Sequence, residues 1–417
     1  MGHRLYKTYV DLTNIIIRVS NGTPAGKEHA LLINSHLDST PPSPGAADDA
    51  LAVGVMLDCL RVLIHTPDWE PEHAIIFPNT VRAMINLEAA GSKGPTLLFQ
   101  ATAEEMIKAY ANAPNPYATI LANDIFSSGV ILSDTDFRQF EQYLNVSGLD
   151  MAVVGHSYFY HTQKVRMFKI IIAPIWLTQL QDTVENIELG VAQHMGENTL
   201  AMLRHFADSK TALPQLASVT PHKPRLTYYS ILCTWFLVYP FSFASVLHAT
   251  LWIASTTLLL VRSDASSLSE FAKSQLYGLK HIVGSMVAAL IGANTVAFIM
   301  SKVLDRSLSW FSNESLPLVF YGPPSVAAQF LLSSSRPENE DSIFTATLLW
   351  NSTLALVLQL VFDIGSSAFF MFPALSIFSG LVLQQIRTED AKHILLSSYI
   401  IGNSLPLITG RLGEVSS

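Results

Sequence analysis

The sequence predicts an α/β domain with a mixed, mostly parallel sheet flanked by helices, followed by an α-helical multi-pass membrane domain. Three observations predict it. Only 14% of the 417 residues are charged and 49% are hydrophobic, whereas soluble globular proteins carry about 25% charge. The deficit is uneven: residues 1–225 hold most of the acids, bases and histidines, and residues 226–417 most of the long apolar runs. Within the first part, short apolar runs alternate with stretches of helical spacing, as in βα units around a parallel sheet.

The elements follow in order. His29–Ile33 (HALLI), His73–Phe77 (HAIIF) and Val81–Leu87 (VRAMINL) are apolar runs bounded by polar residues, as buried parallel strands are. Between the first two, Leu51, Val55, Leu57, Leu60 and Leu63 recur at helical spacing over Ala50–Ile64. Glu104–Ala113 and Asp182–Phe206 also read as helices. Pro214, Pro221 and Pro224 mark a linker. Ser242–Val261 has the roughly 20 apolar residues that a bilayer demands; Ile282–Met300, Phe344–Phe362 and Ser366–Leu383 are similar, and Ile394–Ile408 is a weaker fifth. Tyr228–Val238 reads as an interfacial or short spanning piece. The expected organisation is residues 1–210 for the α/β domain, 211–227 for the linker, and 228–417 for a membrane domain of four or five helices. Lysines and arginines flank both ends of these segments, so the sequence leaves their orientation open.

A net charge of −8 gives no reason to expect nucleic acid, which calls for a basic face; membrane lipid is the expected surroundings of the second half. Cys59 and Cys233 fall in different halves and read as packed thiols rather than a disulfide. Asn-X-Ser/Thr triplets occur at Asn21, Asn145, Asn313 and Asn351. Asn21 and Asn145 would suit glycosylation of a lumenal domain, while Asn351 lies in an apolar run. Residues 1–4 carry no signal peptide, so a lumenal domain would need a further targeting element.

Chemistry is concentrated in two short stretches, Ser35-His36-Leu37-Asp38-Ser39 and Gly45-Ala46-Ala47-Asp48-Asp49. His36 follows a strand directly, at the carboxyl end where open α/β sheets bind ligands. Asp38, two residues on, is placed to accept the second ring proton and fix the tautomer, as partners of zinc-bound histidines do. The Asp48-Asp49 pair precedes a helix, where aspartate also serves as an ordinary cap. Taken alone, neither stretch decides between a metal site and plain structure.

Together they resemble the di-zinc aminopeptidase family, whose pattern is His-X-Asp-Ser, a loop, Gly-Ala-X-Asp-Asp, then a helix ending near an arginine, here Arg61. The closer similarity is to the branch of endoplasmic reticulum metallopeptidase and vacuolar membrane protease, which fuses a lumenal peptidase to a multi-helix membrane domain. Asn86-Leu87-Glu88, Ser133–Arg138 and Tyr160-His161-Thr162 extend the resemblance. It implies a zinc-dependent exopeptidase with two Zn2+ per site, acting on peptides in the endoplasmic reticulum or vacuolar membrane. It further implies that His36 ligates one zinc, Asp48 bridges both, Glu88 is an acidic ligand and His161 binds the second zinc, with Asp38 orienting His36.

The chain departs from that pattern in two places. The family carries a Glu-Glu pair after the second strand, a general base followed by a ligand; here no glutamate occurs between Glu72 and Glu88. A deletion near residues 78–80 is the expectation, and Glu104-Glu105 read as an exposed helical face. Val165–Gln181 interrupts a His-Thr-X-X-Asp motif whose aspartate is Asp182, and reads as an insertion. With the absent targeting element, these departures read as a variant transcript or an imperfect gene model. Two further readings compete with an enzyme: an inactive peptidase-like protein that acts by binding, and a transporter, for which Asp363 is the main intramembrane charge.

Overall fold

Apolar runs too short for helices and flanked by polar residues become strands. The computed structural model describes residues 13–40, 43–75, 80–131, 134–161, 182–210, 212–232, 234–306, 315–333, 340–386, 394 and 396–402. The first elements are β1 (Ala30–Asn34), α1 (Ala52–His65), β2 (Ala74–Ile75) and β3 (Val81–Ala89). Helix α1 buries Ala52, Val55, Cys59 and Leu63 along one stripe. Cys59 is a free, buried thiol; Cys233 lies outside the described residues.

Next come β4 (Lys93–Ala101), α2 (Glu104–Tyr110), α3 (Ile120–Ser127), α4 (Phe137–Leu144), β5 (Ser147–Gly155), α5 (Val191–Asp208) and α6 (Ala212–Leu216). The sheet order is β2-β1-β3-β5-β4. Every pairing is parallel except β4 with β5, so the sheet is mixed and mostly parallel. Side chains alternate between its faces. Leu31, Ile33, Ile85, Leu87, Leu149 and Met151 join the core with α1, α2 and α5, while Leu32 and Met84 pack against Phe137 of α4.

Several expectations are corrected here. Asp182–Phe206 is not one helix: Gly190, at φ 95°, breaks it, and α5 starts at Val191. Tyr228–Val238 is not a spanning piece but most of a hairpin, β6 (Leu226–Ile231) and β7 (Trp235–Pro240). Its Leu226 and Tyr228 belong to the α/β core. In the stretch expected to be linker, α6 buries Leu213 and Leu216.

Then follow α7 (Phe241–Arg262), α8 (Leu268–Phe298, continued by a wider turn to Val303), α9 (Leu316–Ser333), α10 (Glu340–Phe362) and α11 (Ala368–Ile386). Among the described residues, four stretches are long and apolar enough to cross a membrane: Phe241–Arg262, Leu268–Val303, Asp341–Phe362 and Gly365–Gln385. They contain the four stronger segments expected from sequence. Helix α9 was not among those expectations, because Pro323-Pro324 in its middle reads as a break. Of the fifth segment, Ile394 and residues 396–402 are helical and the remainder lies outside the described residues. Asp363 lies beyond the end of α10, between two candidate spans rather than within one, and pairs with Arg225 at 2.9 Å.

Candidate metal centre

On the α4 side of the sheet, the strands change character toward their carboxyl ends. Leu32 and Met84 give way to Asn34, Asn86 and Glu88, with Asp150 in register beside Asn86. Parallel pairing brings these ends together, which is where an α/β sheet leaves its crevice. His36 leaves β1 at this edge. Asp48 reaches it from the turn before α1, which Gly45 makes possible at φ 73°. A Cβ on Gly45 would stand 2.7 Å from that of Ser39 and 2.9 Å from the Asp48 carbonyl oxygen, so no other residue fits.

The structure brings four of the expected side chains together. His36 Nε2 lies 3.4 Å from Asp48 Oδ1 and 3.5 Å from Glu88 Oε2. His161 Nε2 lies 2.8 Å from the other Asp48 oxygen, Oδ2. One carboxylate therefore faces two imidazoles, one from each oxygen. The donor atoms of His36, Asp48 and Glu88 all lie within 4.8 Å of one another. Asp38 is the exception. His36 Nδ1 meets its main-chain carbonyl at 2.8 Å, while its carboxylate is 89% exposed and 3.7 Å away.

Electrostatics at this edge favour a positive charge. Hydrogen bonds to Asp48 and then Glu88 raise the His36 imidazole to about 11. Burial, and after it Glu88, pushes Asp49 well above the usual carboxylate range; its Oδ2 accepts the His36 N–H at 3.3 Å. Tyr160, stacked on His161 at 3.7 Å, is raised to about 12 by burial and then by Asp48 and Glu88. A set of imidazole and carboxylate donors converging on a cation-seeking edge fits zinc.

Further residues support these donors. Asp182, 1% exposed, accepts the Ala47 N–H at 2.6 Å and the Asp48 N–H at 3.0 Å, fixing the turn that carries Asp48. Only the interrupted His-Thr-X-X-Asp motif signalled it. Behind Glu88, Asn86 Nδ2 donates to Glu88 Oε1 at 3.3 Å and to Asp150 Oδ1 at 3.0 Å. Asp150 also accepts from Gln100 at 3.2 Å and from Thr135, and Asn34 donates to Asn86 Oδ1 at 2.8 Å. Burial pushes Asp150 well above the usual range. No local spacing could show this network.

Glu104 and Glu105 lie elsewhere, and the expectation of an exposed face is wrong. Glu104 accepts the Arg225 N–H at 2.8 Å and pairs with His222 at 2.6 Å, and both glutamates are half-buried.

Comparison with known proteins places this arrangement. Residues 14–80 and 77–203 match Peptidase family M28. The chain belongs to peptidase family M28. A Schizosaccharomyces pombe protein named for endoplasmic reticulum metallopeptidase 1 is 37% identical over 379 residues, 86% of this chain and 42% of its own length. Endoplasmic reticulum metallopeptidase 1 of Mus musculus is 28% identical over 448 residues, 96% of this chain and 46% of that protein. The vacuolar membrane protease of Ajellomyces capsulatus is 30% identical over 190 residues, covering 37% of this chain and 19% of that one. This M28 member thus falls in the branch named for those two membrane peptidases, and spans less than half the length of the first two relatives.

Proposed function

We propose that the chain is a membrane-anchored zinc metallopeptidase, an aminopeptidase-like peptide hydrolase, impaired in this form by loss of the Glu-Glu element. The observation that carries the reading is the Asp48 carboxylate, whose two oxygens face His36 and His161 separately. His36, Asp48, Glu88 and His161 would hold the metals, with Asp48 shared between them. Two bound zinc ions would acidify a water and polarise a substrate carbonyl. The chain's own part is to fix the donors: the Asp38 carbonyl holds the His36 ring by its Nδ1 proton, Asp182 sets the Asp48 turn, and Asn86 turns the Glu88 carboxylate. The base that would take a proton from the attacking water has no glutamate in its family position, since Glu72 and Glu88 are consecutive glutamates. A missing positioned base lowers turnover by about 10²–10⁴. The same site would then act as a peptide-binding surface.

We propose a lumenal α/β domain on the strength of its Asn-X-Ser/Thr triplets at Asn21 and Asn145. Arg262 meets Asp341 at 3.3 Å and Gln384 at 3.1 Å, so the end of α7, the start of α10 and the end of α11 lie together, away from the α/β domain. Arg262, Lys273 and Lys280 belong to that end. Lys302 and Arg306 lie at the other end, as do Lys223 and Arg225, which meet Asp363, so these charges do not set the orientation. Asn145 is exposed and Asn21 half-buried on the domain that would lie in the lumen of the endoplasmic reticulum or vacuole.

The purified full chain in detergent tests the reading by zinc content and by cleavage of aminoacyl and dipeptide substrates. Two zinc ions per chain with weak or no turnover is the expected result. Full turnover would overturn the impairment, and absence of zinc would overturn the metal site. A glycosidase-sensitive shift that disappears with Asn21→Gln and Asn145→Gln is expected for a lumenal domain.

A further inference from the structure

The hairpin β6–β7 has two apolar faces: one packs into the α/β core and the other is only partly covered by protein. Opposite residues in an antiparallel ladder share a face, and the register pairs Leu226 with Pro240, Tyr228 with Val238 and Ser230 with Phe236. Leu226, Tyr228, Phe236 and Val238 pack into the α/β core. The other face carries Thr227 opposite Tyr239, Tyr229 opposite Leu237, and Ile231 opposite Trp235. A sheet face toward water is ordinarily polar. Here Trp235 is 61% exposed and Leu237 41%.

The height of this face is set by the helices beside it. Tyr229 packs against Phe369 and Phe372, at ring distances of 6.2 and 5.6 Å, and both belong to the opening turns of α11. Tyr239 meets Phe243, in the first turn of α7, edge-on at 5.7 Å. Strand β7 passes into α7 at Pro240–Phe241 with no linker. The first turns of spanning helices lie at the membrane–water boundary, and tryptophan and tyrosine concentrate there. Among those rings, Phe243 is itself 55% exposed.

We infer that the Trp235–Leu237 face of β7 lies in the headgroup region of the bilayer, so that the peptidase-like domain rests on the lipid through a β-hairpin as well as hanging from α7. The partner is the lipid surface itself. The hairpin shares core with the strands that carry His36 and Glu88, so its contact fixes the height of the candidate site above the membrane. The inference rests on the reading of α7, α8, α10 and α11 as membrane spans.

The test uses the full chain with Cys233→Ser, where the remaining Cys59 is buried, reconstituted into phosphatidylcholine vesicles. An environment-sensitive fluorophore is attached in turn at Trp235→Cys, Leu290→Cys on the exposed side of α8, and Tyr143→Cys on α4. Quenching is then measured with lipids brominated either near the headgroup or near the chain ends. The expected pattern is strong shallow quenching at 235, strong deep quenching at 290 and none at 143. Quenching at 290 with none at 235, or deep quenching at 235, overturns the hairpin contact while leaving the membrane reading standing. No quenching at 290 overturns the membrane reading and the inference with it.

Discussion

At the scale of residues, ligands and their supports should respond differently to substitution. Asp48 presents an oxygen to each of two imidazoles, so Asp48→Asn should abolish stoichiometric zinc binding at both positions, read by elemental analysis. Asp38→Ala should leave zinc affinity nearly unchanged, because the carbonyl that meets His36 survives the change. Asp150→Asn replaces an acceptor by an amide that cannot accept from both Asn86 and Gln100. It should weaken zinc about 10–100-fold, the usual worth of a group that orients a ligand, measured by chelator competition. An Asp38 effect equal to that of Asp150 would sink this division. Gly45→Ala forces a Cβ into Ser39 at a positive φ and should cost more than about 1 kcal/mol, seen as a lower melting temperature of the metal-free protein. His36 and Asp48 were legible because their spacing is local, whereas the contact of His36 with the Asp38 carbonyl rather than its carboxylate was not. Asp150 was not, since its role depends on strand register.

At the scale of elements, the join between α2 and residues 222–225 should respond to pH. The Thr220 carbonyl, and against burial the Glu104 carboxylate, raise the His222 imidazole. Burial pushes Glu104 up, but the Arg225 N–H and His222 outweigh it and hold it low. His222 binds its proton more tightly folded than unfolded, so its contribution is complete below its ordinary 6.5 and fades as pH rises through the raised value. Glu104 behaves oppositely: its contribution is complete above 4.5 and fades as pH falls through the lowered value. The clip is therefore firmest between those ordinary values. Hydrogen exchange across residues 217–225, corrected for intrinsic rate, should be slower at pH 5.5–6 than at pH 8.5, and Glu104→Gln should remove the difference. An unchanged ratio in that variant would show that the clip is not responsible. Sequence reading placed Glu104 on an exposed face because a paired glutamate at a helix start looks like one facing solvent. The hairpin was misread for a related reason: apolar strands beside spanning helices share their composition, and only period and partner distinguish them.

At the scale of the whole molecule, a small polar latch joins the α/β domain to the membrane helices. Lys223 meets the buried Asp124 of α3 at 2.7 Å and donates to the Asp363 carbonyl at 3.3 Å. Asp124 also accepts the Ser366 N–H at 2.7 Å, across 242 positions of sequence. Arg225 pairs with Asp363 at 2.9 Å. Contacts this distant leave no trace in spacing, which is why the sequence showed two halves and a Pro-marked linker but not how they meet. The two ion pairs should differ in worth. Arg225 and Asp363 are mostly exposed, and such pairs contribute about 0–1 kcal/mol. Removing Lys223 instead strands a buried carboxylate, which costs about 1–3 kcal/mol. Lys223→Ala should therefore lower the unfolding temperature in detergent several times more than Asp363→Ala, and should speed proteolysis between residues 217 and 225. Asp124→Asn should restore part of the loss in the Lys223→Ala background, because a neutral amide can still accept from Ser366 without an unpaired charge. Equal effects of Lys223→Ala and Asp363→Ala, with no rescue, would mean that apolar packing around Phe369 and Tyr229 joins the two parts and that the latch is incidental.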